Sequence, residues 1–238
     1  DDWVLKYRLD SYKKFEKLDM PSFGPEIDLD FNKIIYYKSN ETDDMIASDW
    51  NNVLKPVVNE LDSLGVLESE IHMGGMGVQY ESEVIYHSML KELEEKKVVF
   101  TSIEMAMKNY PDLVKKYFGK IVNNNENKFA ALNSAVFSGG SFIYVPPNTK
   151  LDRPLQSYFR INSKNMGQFE RTLIIVDDNS ELHYIEGCTA PTYSESSLHA
   201  AVVEIYVGKN SKCRYSTIQN WANNVYNLVT KRALVDDN

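Results

Sequence analysis

The stretch "VDDNSELHY" (residues 176–184) returns later in the chain, in a weaker form, as "VGKNSKCRY" (207–215). The two segments match at Val, Asn, Ser and Tyr with a shift of 31 residues, and "VFSGGSFIY" (136–144) resembles them more loosely. A strand, a polar corner and another strand that recur in this way are typical of the stacked coils of a β-solenoid. A β-sandwich with ordinary hairpins is the alternative, because it uses the same short strands.

The rest of the second half fits this interpretation. From about residue 129 the chain contains recurring runs rich in Val, Ile, Tyr, Phe and Thr, separated by Gly, Asn, Asp and Pro, and this composition predicts strands. The polar tract "NNNEN" (123–127) is the best candidate for a boundary before them. We therefore predict a helical or α+β region over 1–128 and a β core over 129–238. The fold class would be mainly β with an α-rich N-terminal region.

The first half has helical patterns. Apolar positions at spacings of three and four predict helices over 2–19, 48–64 and 84–97, with a break at Pro56 in the second. A short strand, a helix capped by Ser102, a turn at Pro111 and a helix stopped by Gly119 follow. The glycine-punctuated segment "HMGGMGVQYES" between these helices predicts a helix end or a loop.

Composition excludes several classes of protein. The 238 residues carry a formal net charge of −8, and the basic residues are scattered, which argues against a nucleic-acid partner. No apolar run approaches the roughly 18 residues of a membrane span, and the charged start is not a signal peptide. Two cysteines are too few for a disulfide framework or a four-cysteine metal site. They favour a reducing compartment, with a Cys188–Cys213 bridge as the alternative.

Cys188 lies where a strand gives way to a turn, in "ELHYIEGCTAP" (181–191). A lone cysteine is usually a small apolar filler. Here Gly187 permits an unusual backbone angle or a close approach, so a chemical role competes with the filler interpretation. Cys213 alternates with Lys212 and Arg214 along a strand, which predicts simple core packing.

Histidines offer a second, weaker signal. His183 and His199 are candidates to join a cysteine in a metal site or a Cys–His pair, but neither has a metal-ligand spacing. His72 and His87 fall in the helical half and are predicted at the surface. The glycine-rich segments "FSGGS" and "HMGGMG" match no phosphate-binding pattern, and no HExxH, GxSxG or DxDxDG motif occurs. These patterns alone do not establish an enzyme.

Many segments of the second half together resemble one family. They are "FAALNSAVFSGGSFIYVPPNTK", "SYFRIN", "GQFERTLIIVDDNSELHYIEGCTAP", "LHAAVVEI", "YSTIQNW" and "NLVTKRAL". In register over 129–234, they resemble the SufB/SufD family of the SUF iron–sulfur cluster assembly system, and its SufB branch in particular. A looser similarity continues upstream at "WVLKYRLDSYKKF" and "IEMAMKNYPDLVKKYFG". The resemblance implies an N-terminal helical region followed by a right-handed parallel β-helix.

The resemblance also implies a role for Cys188. The family's matching cysteine receives sulfur as a persulfide, which then passes along the inside of the β-helix, an exchange that needs an accessible and partly ionised thiol. Positions that match the family's tunnel residues are Arg160, Asn162, Gln219, Trp221 and Lys231. Strand alternation alone would instead bury Phe159 and Ile161 and turn Arg160 and Asn162 to solvent.

The function that the resemblance implies is that of a scaffold, not a turnover enzyme. Its partners would be a SufC-type ATPase, a SufD-type paralogue, a sulfur carrier and a cysteine desulfurase, with no nucleic acid and no membrane. Its cofactors would be a transient iron–sulfur cluster and, in the full complex, reduced flavin. Its compartment would be the cytoplasm or the plastid stroma.

The sequence departs from the family in two ways. The loop "ANNVYN" after "QNW" is shorter than usual, and the family continues well beyond residue 238. We therefore expect a fragment without the later cysteine and Glu/His residues associated with cluster assembly, and with no metal ligands of its own.

Two alternatives to sulfur acceptance stay open. One is a purely structural, SufD-like β-helix that serves as an assembly surface. The other is a β-helix carbohydrate enzyme, which would need paired carboxylates on one face. Asp177 and Asp178 are adjacent at a predicted turn and alternate faces, which argues against that enzyme.

Overall fold

The computed structural model describes residues 2–22, 24, 26–39, 46–191 and 196–237. Within these ranges seven α-helices occur: α1 (Asp2–Lys17), α2 (Lys55–Ser63), α3 (Val66–Glu70), α4 (Lys91–Glu95), α5 (Ile103–Asn109), α6 (Pro111–Tyr117) and α7 (Lys128–Val136). The strands are β1 (Gly75–Tyr80), β2 (Glu83–Met89), β3 (Val99–Ser102), β4 (Ser141–Val145), β5 (Leu155–Arg160), β6 (Gly167–Gln168), β7 (Arg171–Val176), β8 (Glu181–Thr189), β9 (Ser197–His199), β10 (Val202–Val207), β11 (Lys212–Asn220), β12 (Val225–Asn227) and β13 (Thr230–Val235). Short 3-10 helices span Phe31–Lys33 and Trp50–Asn52.

The strands form three sheets. The first has the order β11-β8-β5-β1-β2, the second β13-β10-β7-β4-β3, and the third β12-β9-β6. The pairs β1–β2 and β3–β4 are antiparallel, and the other pairs are parallel. The fold is therefore mixed α/β with sheets of parallel strands. Parallel pairing contradicts the sandwich built from hairpins, because a hairpin joins antiparallel neighbours.

The 31-residue period is confirmed by the strand register. Val145 pairs with Val176, and Val176 with Val207, each step being 31 residues. At the same spacing Asn148, Asn179 and Asn210 have positive φ angles of 59°, 58° and 52°, a conformation that asparagine tolerates better than most residues. The third copy of the repeat therefore lies around Asn148, and the prediction of a copy at 136–144 is wrong.

Two predicted elements of the first half are wrong. Part of 72–82 is strand β1 and part of 84–97 is strand β2, followed by the short helix α4. Glycine has a packing reason in β1, because a Cβ on Gly75 would lie 2.9 Å from the backbone oxygen of Ser88 and 3.0 Å from the Phe100 ring. The sequence pattern predicts a helix end or a loop at this glycine. In the structure the glycine lies in a strand, where the absence of a side chain lets neighbouring groups pack closely against the backbone.

Other predictions for the first half are confirmed. The segment 48–64 is broken near Pro56, which lies in the first turn of α2. The Ser102 side chain accepts a hydrogen bond from the backbone N–H of Met105 and caps α5. Pro111 begins α6, and Gly119 follows its end with a φ of 70°. None of the helices in the described ranges is both long enough and apolar enough to cross a bilayer.

Strands from both sides of residue 128 share sheets. β1 pairs with β5 and β3 with β4, and Asn127 at the end of the polar tract caps α7 through its side chain. The division into units at 128 stays a prediction. The first and second sheets face each other across an apolar cluster that contains Leu182, Tyr184, Ile174 and Val203. We call the side of each strand that contributes to this cluster its interior face.

Candidate functional site

The interior face of β8 changes character along the strand. Side chains alternate across a strand, so Leu182, Tyr184, Glu186 and Cys188 all point to the interior. Leu182 and Tyr184 belong to the apolar cluster, whereas Glu186 and Cys188 lie beyond it among polar groups. Cys188 is fully buried. The cysteine sulfur is therefore buried in contact with a carboxylate, outside the apolar cluster, with the buried Phe159 as its register partner on β5.

Lys231 of β13 and Glu186 lie beside the thiol. The Cys188 Sγ–H points to Glu186 Oε1 at 3.7 Å, and Lys231 Nζ donates to the same oxygen at 2.7 Å. Lys231 also donates to the Tyr215 hydroxyl at 2.8 Å, and that hydroxyl donates to the second oxygen of Glu186. The carboxylate is thus held by two donors and contacts the sulfur.

The third sheet brings a histidine to the same place. In-register pairing aligns Gln168, His199 and Asn227 on neighbouring strands. His199 Nε2 hydrogen-bonds Glu170 Oε1, and His199 Nδ1 lies 2.7 Å from Asn227 Oδ1. One ligand atom each from Glu170, Cys188 and His199 lies within 4.8 Å of the others, and all three residues are buried. We call these three residues the inner site.

The charges in and around the inner site change the pKa values of Cys188 and His199. Burial raises the pKa of the Cys188 thiol well above its usual value, the carboxylates of Glu186 and Glu170 raise it further, and Lys231 opposes them. Burial lowers the pKa of His199, but the charge and hydrogen bond of Glu170 outweigh burial, so this pKa is raised. The resting thiol is therefore protonated, and it ionises where a base or cation assists.

Gly187 does not have the backbone angle that the sequence allowed. It lies on the outer face of β8, where a Cβ would meet Tyr158 Cδ2 at 2.8 Å. The Tyr158 ring packs over the glycine, and its hydroxyl lies 2.8 Å from Thr189 Oγ1. Gly187 therefore makes room for an aromatic ring on the opposite side from Cys188.

Three predicted tunnel residues lie at the inner site. Gln219 is the register partner of Cys188 on β11, and its Oε1 accepts a hydrogen bond of 2.7 Å from Asn227 Nδ2. The Trp221 ring lies 4.6 Å from the His199 ring, between centroids. Lys231 holds Glu186, as described above.

Arg160 and Asn162 do not line the interior, which corrects the prediction made from the resemblance. Arg160 pairs in register with Thr189, on the face opposite to Cys188, and its Nη1 donates to Thr189 Oγ1 at 3.0 Å. Arg160 Nη2 donates to Glu60 Oε1 at 2.6 Å, and Asn162 Nδ2 to Glu60 Oε2 at 3.2 Å. Arg160 is nevertheless buried, because α2 covers it, so the prediction of solvent exposure is also wrong.

The remaining candidates have structural surroundings. Cys213 pairs with Leu182 and packs against the apolar cluster, which confirms the core-packing prediction. Both cysteines are free, so the bridge is excluded. His183 Nε2 lies 3.1 Å from Ser216 Oγ and does not reach the inner site. Asp178 Oδ1 accepts a hydrogen bond of 2.8 Å from the backbone N–H of Lys209, which is typical of an acidic residue at a turn.

His72 is exposed as predicted, whereas His87 is not a surface residue. It is half-buried beside the Phe100 ring, and its Nε2 is buried without a hydrogen-bond partner among the described residues.

The sequence patterns missed Glu170 and Glu186. They indicated His199 only together with His183, as a candidate to join a cysteine in a metal site or a Cys–His pair. The 31-residue period carried the missing signal. Applied to Cys188 it gives Gln219, and applied to Gln168 it gives His199, which are the observed register partners. Glu170 follows Gln168 by two residues.

Comparisons with known proteins identify a family over nearly the whole chain. The family model described as "SUF system FeS cluster assembly, SufBD core domain" matches residues 159–238, and "SufBD protein N-terminal region" matches residues 2–157. An iron–sulfur cluster assembly SufBD family protein of Staphylococcus saprophyticus is 55% identical over 240 residues. One of Staphylococcus aureus strain MRSA252 is 55% identical over 239 residues. The chain is covered completely in both matches, and it spans about half (51%) of the length of these relatives.

Proposed function

Because the chain belongs to the SufBD family of the SUF iron–sulfur cluster assembly system, we propose that it is a scaffold component that accepts sulfur on Cys188 as a persulfide. The observation that carries the proposal is the position of Cys188 on the interior face, in contact with Glu186 and close to Lys231 instead of in the apolar cluster. A buried thiol that served only as filler would be packed by aliphatic side chains.

The chemistry is a thiol exchange that needs no external oxidant. The Cys188 thiol gives its proton to Glu186, and the thiolate attacks the outer sulfur of the carrier's persulfide. A new S–S bond forms on Cys188, the old S–S bond breaks, and the carrier leaves as a thiolate. The Lys231 ammonium stabilises the anionic sulfur, and burial strengthens this interaction because the local dielectric is low.

We further propose that the strands form a right-handed parallel β-helix and that sulfur moves inside it. Parallel sheets with corners repeated every 31 residues support this architecture. Gln219 and Lys231 on the last two long strands extend the polar surface beyond Cys188, so the route would run from Cys188 towards β11 and β13.

The partners are part of the proposal. A cysteine desulfurase and a sulfur carrier would supply the persulfide, and a SufC-type ATPase and a SufD-type paralogue would act with the scaffold. The transient iron–sulfur cluster and reduced flavin belong to the assembled complex. We propose a reducing compartment such as the bacterial cytoplasm, because both cysteines are free and the relatives reported above are bacterial.

The test is to map sulfur on the protein at its natural full length. The protein is incubated with a cysteine desulfurase, its sulfur carrier and cysteine, then alkylated and digested for mass spectrometry. We expect persulfide on Cys188 and none on Cys213, its loss in Cys188→Ser, and its retention in the matched control Cys213→Ser. Sulfur on Cys213 with none on Cys188 would refute the proposal.

A second candidate is the structural, SufD-like role, in which the fold serves as an assembly surface. The complete burial of Cys188 favours it, because a persulfide donor must reach the sulfur. Reconstitution of cluster assembly separates the two. Full assembly by Cys188→Ser in the complete system supports the structural role, and loss of assembly with intact binding of partners supports sulfur acceptance.

A further inference from the structure

We propose that Glu170, Cys188 and His199 form a binding site for a divalent transition-metal ion, such as Fe²⁺ or Zn²⁺, with an open fourth position. Carboxylate, thiolate and imidazole are ligands that ions of this class accept together. The proposal stands on the geometry of the three side chains and does not depend on sulfur acceptance by Cys188.

The donor atoms already have nearly the spacing that a metal needs. They lie within 4.8 Å of one another, while tetrahedral sites with usual bond lengths separate their ligands by roughly 3.3–3.5 Å. Cys188 comes from β8, His199 from β9, and Glu170 from the link between β6 and β7. Small side-chain rotations would close the remaining distance. The backbones of β8 and β9 would stay in place, because parallel pairing with their neighbours holds them.

His199 is oriented as a metal ligand should be. Its Nδ1 faces Asn227 Oδ1 at 2.7 Å, so Nδ1 carries the proton and Nε2 is turned to the inner site. Asn227 is fixed in turn by its hydrogen bond to Gln219. Ligating histidines are commonly held in this way by a second acceptor, which sets the tautomer and the ring plane.

Unsatisfied polar atoms point to a missing ligand. Glu170 Oε2 is buried and has no hydrogen-bond partner among the described residues, and the same holds for Gln168 Oε1 on the neighbouring strand. Buried polar atoms are normally paired, so an unpaired carboxylate oxygen beside a thiol and an imidazole is unusual. A cation would satisfy Glu170, and Gln168 or a water molecule would lie next to the open position.

Charge also favours a divalent cation. A carboxylate and a thiolate carry two negative charges, which one divalent ion neutralises, and neutral sites are the ones that tolerate burial. Lys231 does not supply this charge to Glu170, because its ammonium is bound by Glu186 and Tyr215. On binding, the metal forms bonds to O, S and N, and the thiol proton and the proton shared between Glu170 and His199 leave to solvent.

The site lies close to the last strands that the structure describes. Asn227 and Gln219 are exposed, whereas His199, which Asn227 contacts, is completely buried. One layer of polar side chains therefore separates the ligands from the exposed side of the last described strands.

The test uses the reduced, chelator-stripped protein at its natural full length under anaerobic conditions, with Co²⁺ as the spectroscopic probe. We expect a thiolate-to-cobalt charge-transfer band that Cys188→Ser abolishes and the control Cys213→Ser retains. His199→Gln and Glu170→Gln should weaken Co²⁺ binding at least about tenfold, as should Asn227→Ala, which removes the acceptor that orients the ring. The control His183→Gln should bind normally, and competition with Fe²⁺ and Zn²⁺ then ranks the two ions.

Two results would overturn the site: a charge-transfer band that survives Cys188→Ser, or equal Co²⁺ affinity in all variants. Circular dichroism shows whether each variant folds. If Cys188→Ser does not fold, protection from alkylation in the unmodified protein replaces it: Zn²⁺ should protect Cys188 and leave Cys213 reactive, and equal reactivity with and without Zn²⁺ refutes the site. Persulfide mapping on Glu170→Gln keeps the two proposals separate, because this variant should lose metal and still accept sulfur.

Discussion

Glu170 and Arg171 are adjacent in the chain and completely buried, but their side chains belong to different polar groups. Glu170 belongs to the inner site. Arg171 belongs to a second buried polar group, which we call the outer cluster and which consists of Arg171, Glu204, Asn133 and Ser134. Each region holds a buried polar atom without a partner among the described residues, Glu170 Oε2 in one and Arg171 Nε in the other, but they differ in how their carboxylates are paired.

In the outer cluster the charges are matched by fixed partners. Arg171 Nη2 donates to Glu204 Oε2 at 2.8 Å, and the Phe118 ring lies 4.5 Å from the guanidinium carbon. The oxygens of Glu204 also accept the backbone N–H groups of Gly119, Ile121 and Val122, which follow α6. The outer cluster thus ties the loop after α6 to strands β7 and β10.

In the inner site the pairing is incomplete. Glu170 uses one oxygen on His199 and leaves the other without a partner among the described residues. The Cys188 proton has only a long contact of 3.7 Å to Glu186. Burial of charge alone therefore does not identify a functional site. Both carboxylate oxygens of Glu204 are paired, whereas Glu170 Oε2 is an unpaired carboxylate oxygen beside a thiol, and this difference distinguishes the inner site.

The largest expected effect is on stability, in the outer cluster. Arg171→Met leaves Glu204 buried without its cation, and loss of one partner of a buried pair typically costs about 3–5 kcal/mol of unfolding free energy. Urea denaturation at neutral pH measures the change. The control is Arg232→Met, whose pair with Glu126 is exposed and worth at most about 1 kcal/mol. A loss for Arg171→Met as small as that of the control would contradict the structural role of the outer cluster.

Local sequence patterns predicted some features of the inner site and its surroundings. The 31-residue echo predicted the repeat, and the position of Cys188 after the strand-like run drew attention to this thiol. These patterns could not give the pairing of Glu170 with His199, because these residues are 29 positions apart and meet only through the register of the third sheet.

The errors have physical causes as well. Arg160 was assigned to the interior by resemblance, although alternation with Phe159 placed it outside. Neither interpretation anticipated burial on the outer face, which depends on a helix 100 residues away that brings Glu60 over the sheet. Gly75 signalled a turn by composition but serves as a close-packing position in β1, since only tertiary contacts decide which use a glycine has.

His87 also has a buried nitrogen without a partner among the described residues, and it lies outside the inner site. Its Nε2 has no partner among the described residues, the Phe100 ring lies 4.9 Å away, and burial lowers the pKa of His87 to about 4. The unfolded chain binds this proton below about pH 6.5, and the folded protein binds it only near pH 4. The contribution of His87 to stability is therefore complete above pH 6.5 and declines as the pH falls towards 4.

Urea denaturation at pH 7 and pH 4.5 tests this contribution. The unmodified protein should lose about 2–3 kcal/mol more than His87→Leu between these two conditions, in proportion to the shift in pKa. The exposed His72 supplies the control, since His72→Leu should follow the unmodified protein. If His87→Leu loses as much stability as the unmodified protein, His87 is not the titrating group.

Arg160 tests whether the outer face contributes to chemistry at all. Arg160→Met removes the partner of Glu60, which is 24% exposed, so we expect a loss of only about 1–2 kcal/mol of unfolding free energy. Glu60→Gln in the same protein should recover part of it, because no carboxylate is then left unpaired. Persulfide formation on Cys188 should proceed at its normal rate in Arg160→Met. A strong decrease in a folded protein would mean that Arg160 reaches the sulfur route in another state.

The smallest expected effect, and the most specific, is on the reactivity of Cys188. Lys231 is the cation that lowers the pKa of this thiol, through its position against Glu186. Lys231→Met should therefore slow alkylation of Cys188 by iodoacetamide at pH 8 by about three- to tenfold in metal-free protein, since less thiolate forms. Cys213 in the same sample is the internal control, because burial alone raises its pKa to about 11 and its rate should not change.

The direction of that change separates two roles of Glu186. If the lysine acts as the cation that stabilises the thiolate, its removal slows Cys188 alone. If the lysine mainly restrains Glu186, its removal frees a carboxylate that takes the thiol proton more readily, and alkylation becomes faster. A slower reaction supports an inner site in which sulfur carries negative charge beside Lys231. A faster one assigns the activation of Cys188 to Glu186, and the polar interior then acts through a base instead of a cation.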